Sequence, residues 1–227
     1  SWETVMVGLA ETPDVYIEHG LTPEVMNASW KDFAENRPMP LDPTPRDRVG
    51  ATAPGCRAVV AAQLHAPEHA DGLLRALRVG FFSGGFLDSA ETIAAAASRA
   101  GIDPEQLAAW AEGDDVSSTY NDHTQRARHP SAEALAQDSR LASWPGGRRY
   151  TCPSLEITRT SDERRISAPG FQPWESYELA LGNLLPDAEQ RPDAETASEV
   201  LAWGPYPPAT AEVAKLRRIS RDEARAE

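Results

Sequence analysis

Residues 150–185, YTCPSLEITRTSDERRISAPGFQPWESYELALGNLL, show the sharpest change of pattern in the chain. Two short runs, Cys152–Thr158 and Arg164–Pro169, are rich in strand-forming residues and are separated by the polar stretch Arg159–Glu163. Strand, polar turn and strand in this order predict a β-hairpin. A proline followed by an early carboxylate is typical of a helix start, so Pro173–Leu185 is predicted to be helical.

Most of the chain before this stretch has the pattern of short helices. Asp88 is predicted to cap one of them, and the alternating residues of Ser1–Ala10 predict a strand. Arg37–Thr52 is proline-rich and is predicted to be an extended loop. Helices are predicted over Pro23–Asn36, Cys56–His65, Glu68–Phe82, Ser89–Arg99, Glu105–Ala111, Asp115–Arg128 and Ser131–Leu141, and in the tail over Glu195–Trp203, Ala209–Leu216 and Arg221–Ala226. A hairpin and a helix that follow a helical block indicate an α+β or α/β fold rather than an all-α bundle.

Composition excludes several classes of function. The chain has 227 residues, with 35 acidic and 22 basic side chains and a net charge of −13. This charge argues against non-specific nucleic-acid binding, which needs a basic face. Two cysteines are too few for a four-cysteine zinc site. His65 and His69 are spaced to share one helix face, but Pro67 lies between them and is predicted to break that helix, so they are not expected to bind a metal together. No metal is therefore expected. No apolar run approaches the ~18 residues of a membrane span, so no membrane contact is expected either.

Three stretches together carry a family resemblance: Leu73–Gly101, Tyr150–Leu155 and Pro169–Tyr177. In order and spacing they resemble the DsbA-like branch of the thioredoxin superfamily. This branch includes 2-hydroxychromene-2-carboxylate isomerases and kappa-class glutathione transferases. The resemblance covers roughly residues 1–185 and implies an α/β, thioredoxin-like fold with a large inserted helical domain and a small helical C-terminal extension.

The resemblance also implies a domain plan. The thioredoxin-like core is expected in residues 1–52 and 143–190, the inserted helical domain in 53–142, and the helical extension in 191–227. Ser1–Ala10 resembles the second strand of the core, so the first strand and first helix are expected to be absent from this chain. The family carries its reactive Cys-x-x-Cys at the start of that helix, where the helix dipole lowers the thiol pKa. The 227 residues contain no Cys-x-x-Cys.

The expected substrate-binding residues are Thr151, Cys152 and Pro153. In the family a proline at the position of Pro153 is usually cis, and the backbone of the preceding residue binds an extended thiol-bearing substrate. No catalytic residue is identified. Cys152 is a candidate for a redox role because it lines the expected groove, whereas Cys56 is expected to be a small apolar core residue on a helix.

Three functions stay open at this point. The first is a DsbA-like thiol–disulfide oxidoreductase whose nucleophilic segment is absent from the chain. The second is an isomerase or transferase of the same fold that depends on glutathione or another low-molecular-weight thiol as cofactor. The third is a non-catalytic thioredoxin-fold binding protein. The expected partners are a thiol-containing protein or a small-molecule substrate, a homodimer is left open, and the absence of a visible export signal favours the cytoplasm.

Overall fold

The computed structural model describes residues 2–36, 40–189 and 191–227 and shows a helix-rich α/β chain with two small antiparallel sheets. The helices are α1 (Pro13–Glu18), α2 (Pro23–Asn36), α3 (Ala53–His65), α4 (Pro67–Phe82), α5 (Ala90–Ala100), α6 (Pro104–Ala111), α7 (Asp114–Ala127), α8 (Ala132–Leu135), α9 (Trp174–Leu184), α10 (Ala197–Ala202), α11 (Thr210–Leu216) and α12 (Arg221–Ala226). The strands are β1 (Ala142–Trp144), β2 (Gly147–Arg149), β3 (Leu155–Thr158) and β4 (Arg165–Ala168).

The chain divides into two compact units. The hairpin unit contains Ser1–Val7 and Ser118–Gln190, and the helical unit contains Gly8–Ser117 and Arg191–Glu227. This division differs from the expected domain plan: residues 8–52 and the tail 191–227 group with the helical block, and residues 118–142 group with the hairpins. In the hairpin unit α8 packs on β4, and in the helical unit the tail is tied to α4 by an ion pair.

The predicted hairpin of residues 152–169 is confirmed. β3 pairs with β4 in antiparallel register, from Leu155 opposite Ala168 to Thr158 opposite Arg165. At the turn Arg159 pairs with Asp162, and the hydrogen bond from the Arg159 guanidinium lowers the pKa of the Asp162 carboxyl to about 2. The helix predicted after the hairpin is α9, which packs on β4.

A second hairpin was not predicted. β1 and β2 pair from Ala142 opposite Arg149 to Trp144 opposite Gly147, so Pro145 and Gly146 form a two-residue connection. The sequence marks this point only as a break between helices and strands. The short strands are recognisable only by their pairing, because three residues are too few to establish an alternating pattern.

The helical unit is built on packed helices that match the predicted segments within a few residues. α3 packs on α4 and α6, and α4 packs on α5. The core side chains are mostly small or aliphatic; the fully buried ones include Val59, Val60, Leu73, Leu107 and Val116. The helix α1 is an addition to the predicted set.

The predicted strand Ser1–Ala10 is wrong over its described part. Residues 2–10 form no strand, because an extended segment becomes one only when its amides and carbonyls join a ladder. Two of these amides bond to side chains instead: Met6 N–H donates to His123 Nδ1 at 3.3 Å, and Ala10 N–H donates to Thr52 Oγ1 at 3.0 Å. In the predicted loop Arg37–Thr52, residues 37–39 lie outside the described residues, and the remainder contains no helix or strand.

The helices that the structure describes have at most 16 residues, and none combines the length and the apolar character that a membrane span requires.

Candidate functional site

The three expected substrate-binding residues lie on one loop of the hairpin unit, directly before β3. Cys152 and Pro153 are exposed, while Thr151 is half-buried. The peptide bond between Cys152 and Pro153 is cis, the isomer that the resemblance implies. Cys152 is a thiol at the surface. It precedes a strand, so its position does not place it at a helix N-terminus, where backbone amides stabilise a thiolate.

Side-chain hydrogen bonds on both sides of Cys152 hold this loop in place. Thr151 Oγ1 donates to the carbonyl oxygen of Arg140 at 2.8 Å. Ser154 Oγ donates to the carbonyl oxygen of Thr151 at 2.6 Å and accepts the N–H of Gly170 at 2.9 Å. The loop is therefore fixed to the segment before β1 and to the end of β4, and its exposed edge at Cys152 and Pro153 is held outward.

A second set of bonds closes the loop at its base. Tyr150 Oη donates to Glu156 Oε1 and accepts the N–H of Ser131 at 2.9 Å. Ser167 Oγ donates to the same carboxylate oxygen at 2.6 Å, and Ser131 Oγ donates to it at 3.1 Å. Burial, together with the neighbouring Glu156 carboxylate, raises the pKa of Tyr150, so its hydroxyl stays protonated and donates. Sequence reasoning missed this network because its members have no recognisable spacing.

Cys56 lies in the first turn of α3 in the helical unit and is half-buried. Cys56 lies on a helix, as expected, but it is not fully buried as a core residue would be. The two cysteines belong to different units of the chain.

The histidines are used in ways that the sequence did not indicate. His65 ends α3 and His69 lies in α4, so the predicted break between them is confirmed. His65 Nε2 lies 3.1 Å from Asp115 Oδ2, and its ring stacks on Trp110. Within residues 2–36, 40–189 and 191–227, no three His, Cys, Asp or Glu side chains are grouped in a way that could hold a metal ion.

The exposed position of Cys152 predicts its reactivity. We expect iodoacetamide to alkylate Cys152 faster than Cys56 in the folded protein, because Cys152 is exposed whereas Cys56 is half-buried and less accessible to the reagent. Peptide mass spectrometry over a time course measures both rates. Cys152→Ser should remove the fast reaction and Cys56→Ser should keep it. Equal rates in the folded protein would contradict the described environments.

His123 in α7 is the buried histidine of the hairpin unit. Its side chain is 7% exposed, and its Nδ1 accepts the N–H of Met6. Burial is the main cause that lowers the His123 pKa below the ordinary 6.5, and the positive charge of Arg126 adds to it; Glu3 and Asp122 act in the opposite direction. Glu3 is itself engaged by Arg126 in a two-bond ion pair. The folded state therefore favours the neutral form of His123 more than the unfolded state does.

This environment predicts acid lability. A group whose pKa is depressed on folding binds more protons in the unfolded state. The contribution of His123 to the free energy of unfolding is therefore fully present above pH 6.5 and is lost as the pH falls below that value. We expect the free energy of unfolding of the hairpin unit to fall between pH 7 and pH 5.5, measured by urea titration. His123→Gln keeps an acceptor for the Met6 amide, and the decrease should be smaller in this variant. The same pH profile in both proteins would rule out His123 as the cause.

The chain matches no protein-family model and no curated protein. Among solved structures it is similar to the crystal structure of a "putative protein disulfide isomerase from Nitrosomonas europaea", with 20% sequence identity and a TM-score of 0.45. The alignment covers 61% of this chain and 60% of that one.

Proposed function

We propose that this chain is the substrate-binding part of a DsbA-like thiol–disulfide oxidoreductase with a thioredoxin-like core. The observation that carries the proposal is the loop of Thr151, Cys152 and Pro153. Its exposed edge is held by side-chain bonds and leads directly into the β3–β4 hairpin and α9. The order of loop, hairpin and helix is the one that the family resemblance of Tyr150–Leu155 and Pro169–Tyr177 implies.

The reaction needs a nucleophile and a binding segment. A thiolate attacks one sulfur of a substrate disulfide, a mixed disulfide forms, and the other sulfur leaves as a thiolate. A second thiol then attacks the mixed disulfide, becomes oxidised to the new disulfide, and releases the substrate sulfur as a thiolate. We assign to this chain the binding step, in which the main chain at Cys152 holds an extended substrate. The 227 residues contain no Cys-x-x-Cys, and we assign the role of nucleophile to neither Cys56 nor Cys152.

An insulin-reduction assay on the full-length gene product, with dithiothreitol as electron donor, tests the proposal. We expect turnover above the rate of dithiothreitol alone. Cys152→Ser and Cys56→Ser should both keep this turnover, because binding through the main chain needs neither thiol. Absence of turnover in the unaltered protein would overturn the oxidoreductase assignment, and loss in Cys152→Ser alone would make Cys152 the redox group.

If insulin is not reduced, a glutathione titration of the same protein distinguishes the two other functions. A low-molecular-weight thiol used as cofactor would bind beside Pro153, so titration with glutathione should shift the NMR signals of the loop. Such binding would favour the isomerase or transferase, and its absence would favour a non-catalytic binding protein.

A further inference from the structure

The helical unit has an open pocket that the proposed function does not use. It is lined by residues of α1, α2, the segment 46–52, the end of α4 and the loop that follows α4, among them Tyr16, Trp30, Arg46, Phe81 and Phe86. Its cavity measures about 40 Å³. Because one water molecule needs roughly 10–15 Å³ on this measure, the enclosed part of the pocket takes one small chemical group.

Arg46 is the charged group at the centre of this pocket. The Cζ atom of its guanidinium lies 4.9 Å from the ring centroid of Trp30, 4.8 Å from that of Phe81 and 5.7 Å from that of Phe86. Trp30 and Phe81 also pack edge-to-face with each other, their centroids 5.2 Å apart. Three aromatic rings therefore surround one cation and displace water from much of its surface.

The position of Arg46 is fixed by neighbours on two sides. Asn27 in α2 pairs with the backbone of Arg46 through both side-chain atoms, each bond measuring 2.9 Å. The guanidinium donates to the carbonyl oxygens of Phe81 at 2.5 Å and Gly85 at 3.4 Å, and so caps the end of α4. The cation is thus held in place before any ligand arrives.

No carboxylate among the described side chains lies within ion-pair distance of the Arg46 guanidinium. The other arginine of the pocket, Arg48, is neutralised by two hydrogen bonds to Asp88, of 3.0 and 2.8 Å. No carboxylate that the structure describes forms an ion pair with Arg46, whose bonds go to neutral carbonyls. Burial accordingly lowers the Arg46 pKa, and the more distant Asp42 only partly opposes this shift. In a chain with a net charge of −13, a partly buried cation without an ion pair is a candidate anion-binding group.

We propose that this pocket binds a small monocarboxylate, with the carboxylate on the Arg46 guanidinium and a short apolar body against Trp30 and Phe81. A guanidinium has five N–H donors, of which two are engaged by carbonyls, and its planar shape matches a carboxylate. One cation without an ion pair suits one negative charge, which favours a monocarboxylate over a phosphate or sulfate. The cavity volume restricts the inserted part to a few heavy atoms, and the aromatic lining favours an apolar remainder.

Propionate is the probe for this site. We expect sodium propionate at low ionic strength to shift the indole N–H signal of Trp30 saturably in ¹H–¹⁵N NMR spectra of the whole chain. Propionamide has the same shape without the charge and should bind about tenfold more weakly, because hydrogen bonds to charged groups are the stronger ones. This comparison uses the unaltered protein and does not depend on the folding of any variant.

Two variants place the binding at Arg46. Arg46→Met should abolish the propionate-dependent shift. Arg99→Met removes an exposed positive charge from α5 in the same unit, and it should leave propionate binding unchanged. No saturable shift in the unaltered protein, equal binding of propionate and propionamide, or equal binding of sulfate would each overturn the proposal.

Discussion

Replacing Gly170 by alanine is expected to lower the free energy of unfolding of the hairpin unit by about 2–5 kcal/mol. Gly170 has a φ of +73°, a left-handed conformation that disfavours any residue with a Cβ atom. A Cβ atom there would lie 2.9 Å from the carbonyl oxygen of Arg140 and 2.9 Å from Thr151 Oγ1. These are the two atoms of the hydrogen bond that anchors the loop before Cys152. The added methyl group therefore has two effects: it strains the backbone at position 170, and it displaces the hydrogen bond between Thr151 and Arg140.

The matched control is Gly20→Ala. Gly20 has a similar φ of +77°, but a Cβ atom there would meet no heavy atom within 4 Å. Its substitution should therefore show only the backbone cost, about 1–2 kcal/mol. Urea titration measures both variants, and iodoacetamide reaction at Cys152 reports on the loop itself, which should react faster in Gly170→Ala. Equal losses of stability in the two variants would show that the close approach at Gly170 has no energetic consequence.

Replacing Glu212 by alanine is expected to lower the free energy of unfolding of the helical unit by about 2–4 kcal/mol. Glu212 lies in the first turn of α11 and accepts two hydrogen bonds from Arg75 of α4, at 2.5 and 2.6 Å. Its second oxygen also accepts the N–H of Ala209 at 2.6 Å and so caps α11. Alanine removes the ion pair and the cap together, and it leaves a half-buried Arg75 with only the carbonyl of Pro207 as its described hydrogen-bond acceptor.

Glu212→Gln separates the two contributions, since an amide oxygen can still cap α11 but carries no charge. Burial alone would raise the Glu212 pKa, but the hydrogen bonds from Arg75 and Ala209 outweigh it and lower the pKa below the ordinary 4.5. A depressed carboxyl pKa gives stability above 4.5 that is lost as the pH falls through and below that value. We therefore expect an intermediate loss of stability for Glu212→Gln at pH 7 and a shallower acid profile. A loss equal to that of alanine would mean that the cap contributes nothing.

The cap of α5 shows that a local sequence pattern can locate a helix start without identifying the capping residue. The sequence predicts Asp88 as the cap of α5, yet Ser89 Oγ accepts the N–H of Thr92 and performs that role. Asp88 instead accepts the N–H of Ala51 at 2.8 Å and both terminal nitrogens of Arg48. Both residues are good caps by type. Asp88 is engaged by Ala51 and by Arg48, which lie 37 and 40 positions away, and Ser89 caps the helix.

The expected site was predictable in part. The sequence pattern begins the strand at Cys152 and the resemblance implies a proline that precedes it; in the structure Thr151, Cys152 and Pro153 all lie directly before β3. The atoms that hold this loop, the carbonyl of Arg140 and the N–H of Gly170, belong to backbone far from it in the chain. Every residue has a backbone carbonyl and almost every residue a backbone N–H. The residue types at positions 140 and 170 therefore gave no indication that their backbone groups anchor the loop.

The sequence by itself determined most of the helices with their approximate ends, and the β3–β4 hairpin, but neither α1 nor the β1–β2 hairpin. These features depend on neighbours within about four positions, where side-chain period, proline and cap chemistry act. The tertiary structure alone decided that the N–H groups of Met6 and Ala10 bond to side chains rather than to a strand, that His123 is buried, and that Glu212 meets Arg75. It also brought aromatic rings from separate stretches around Arg46. Such contacts join positions far apart in sequence, and only packing in three dimensions determines which charges find partners.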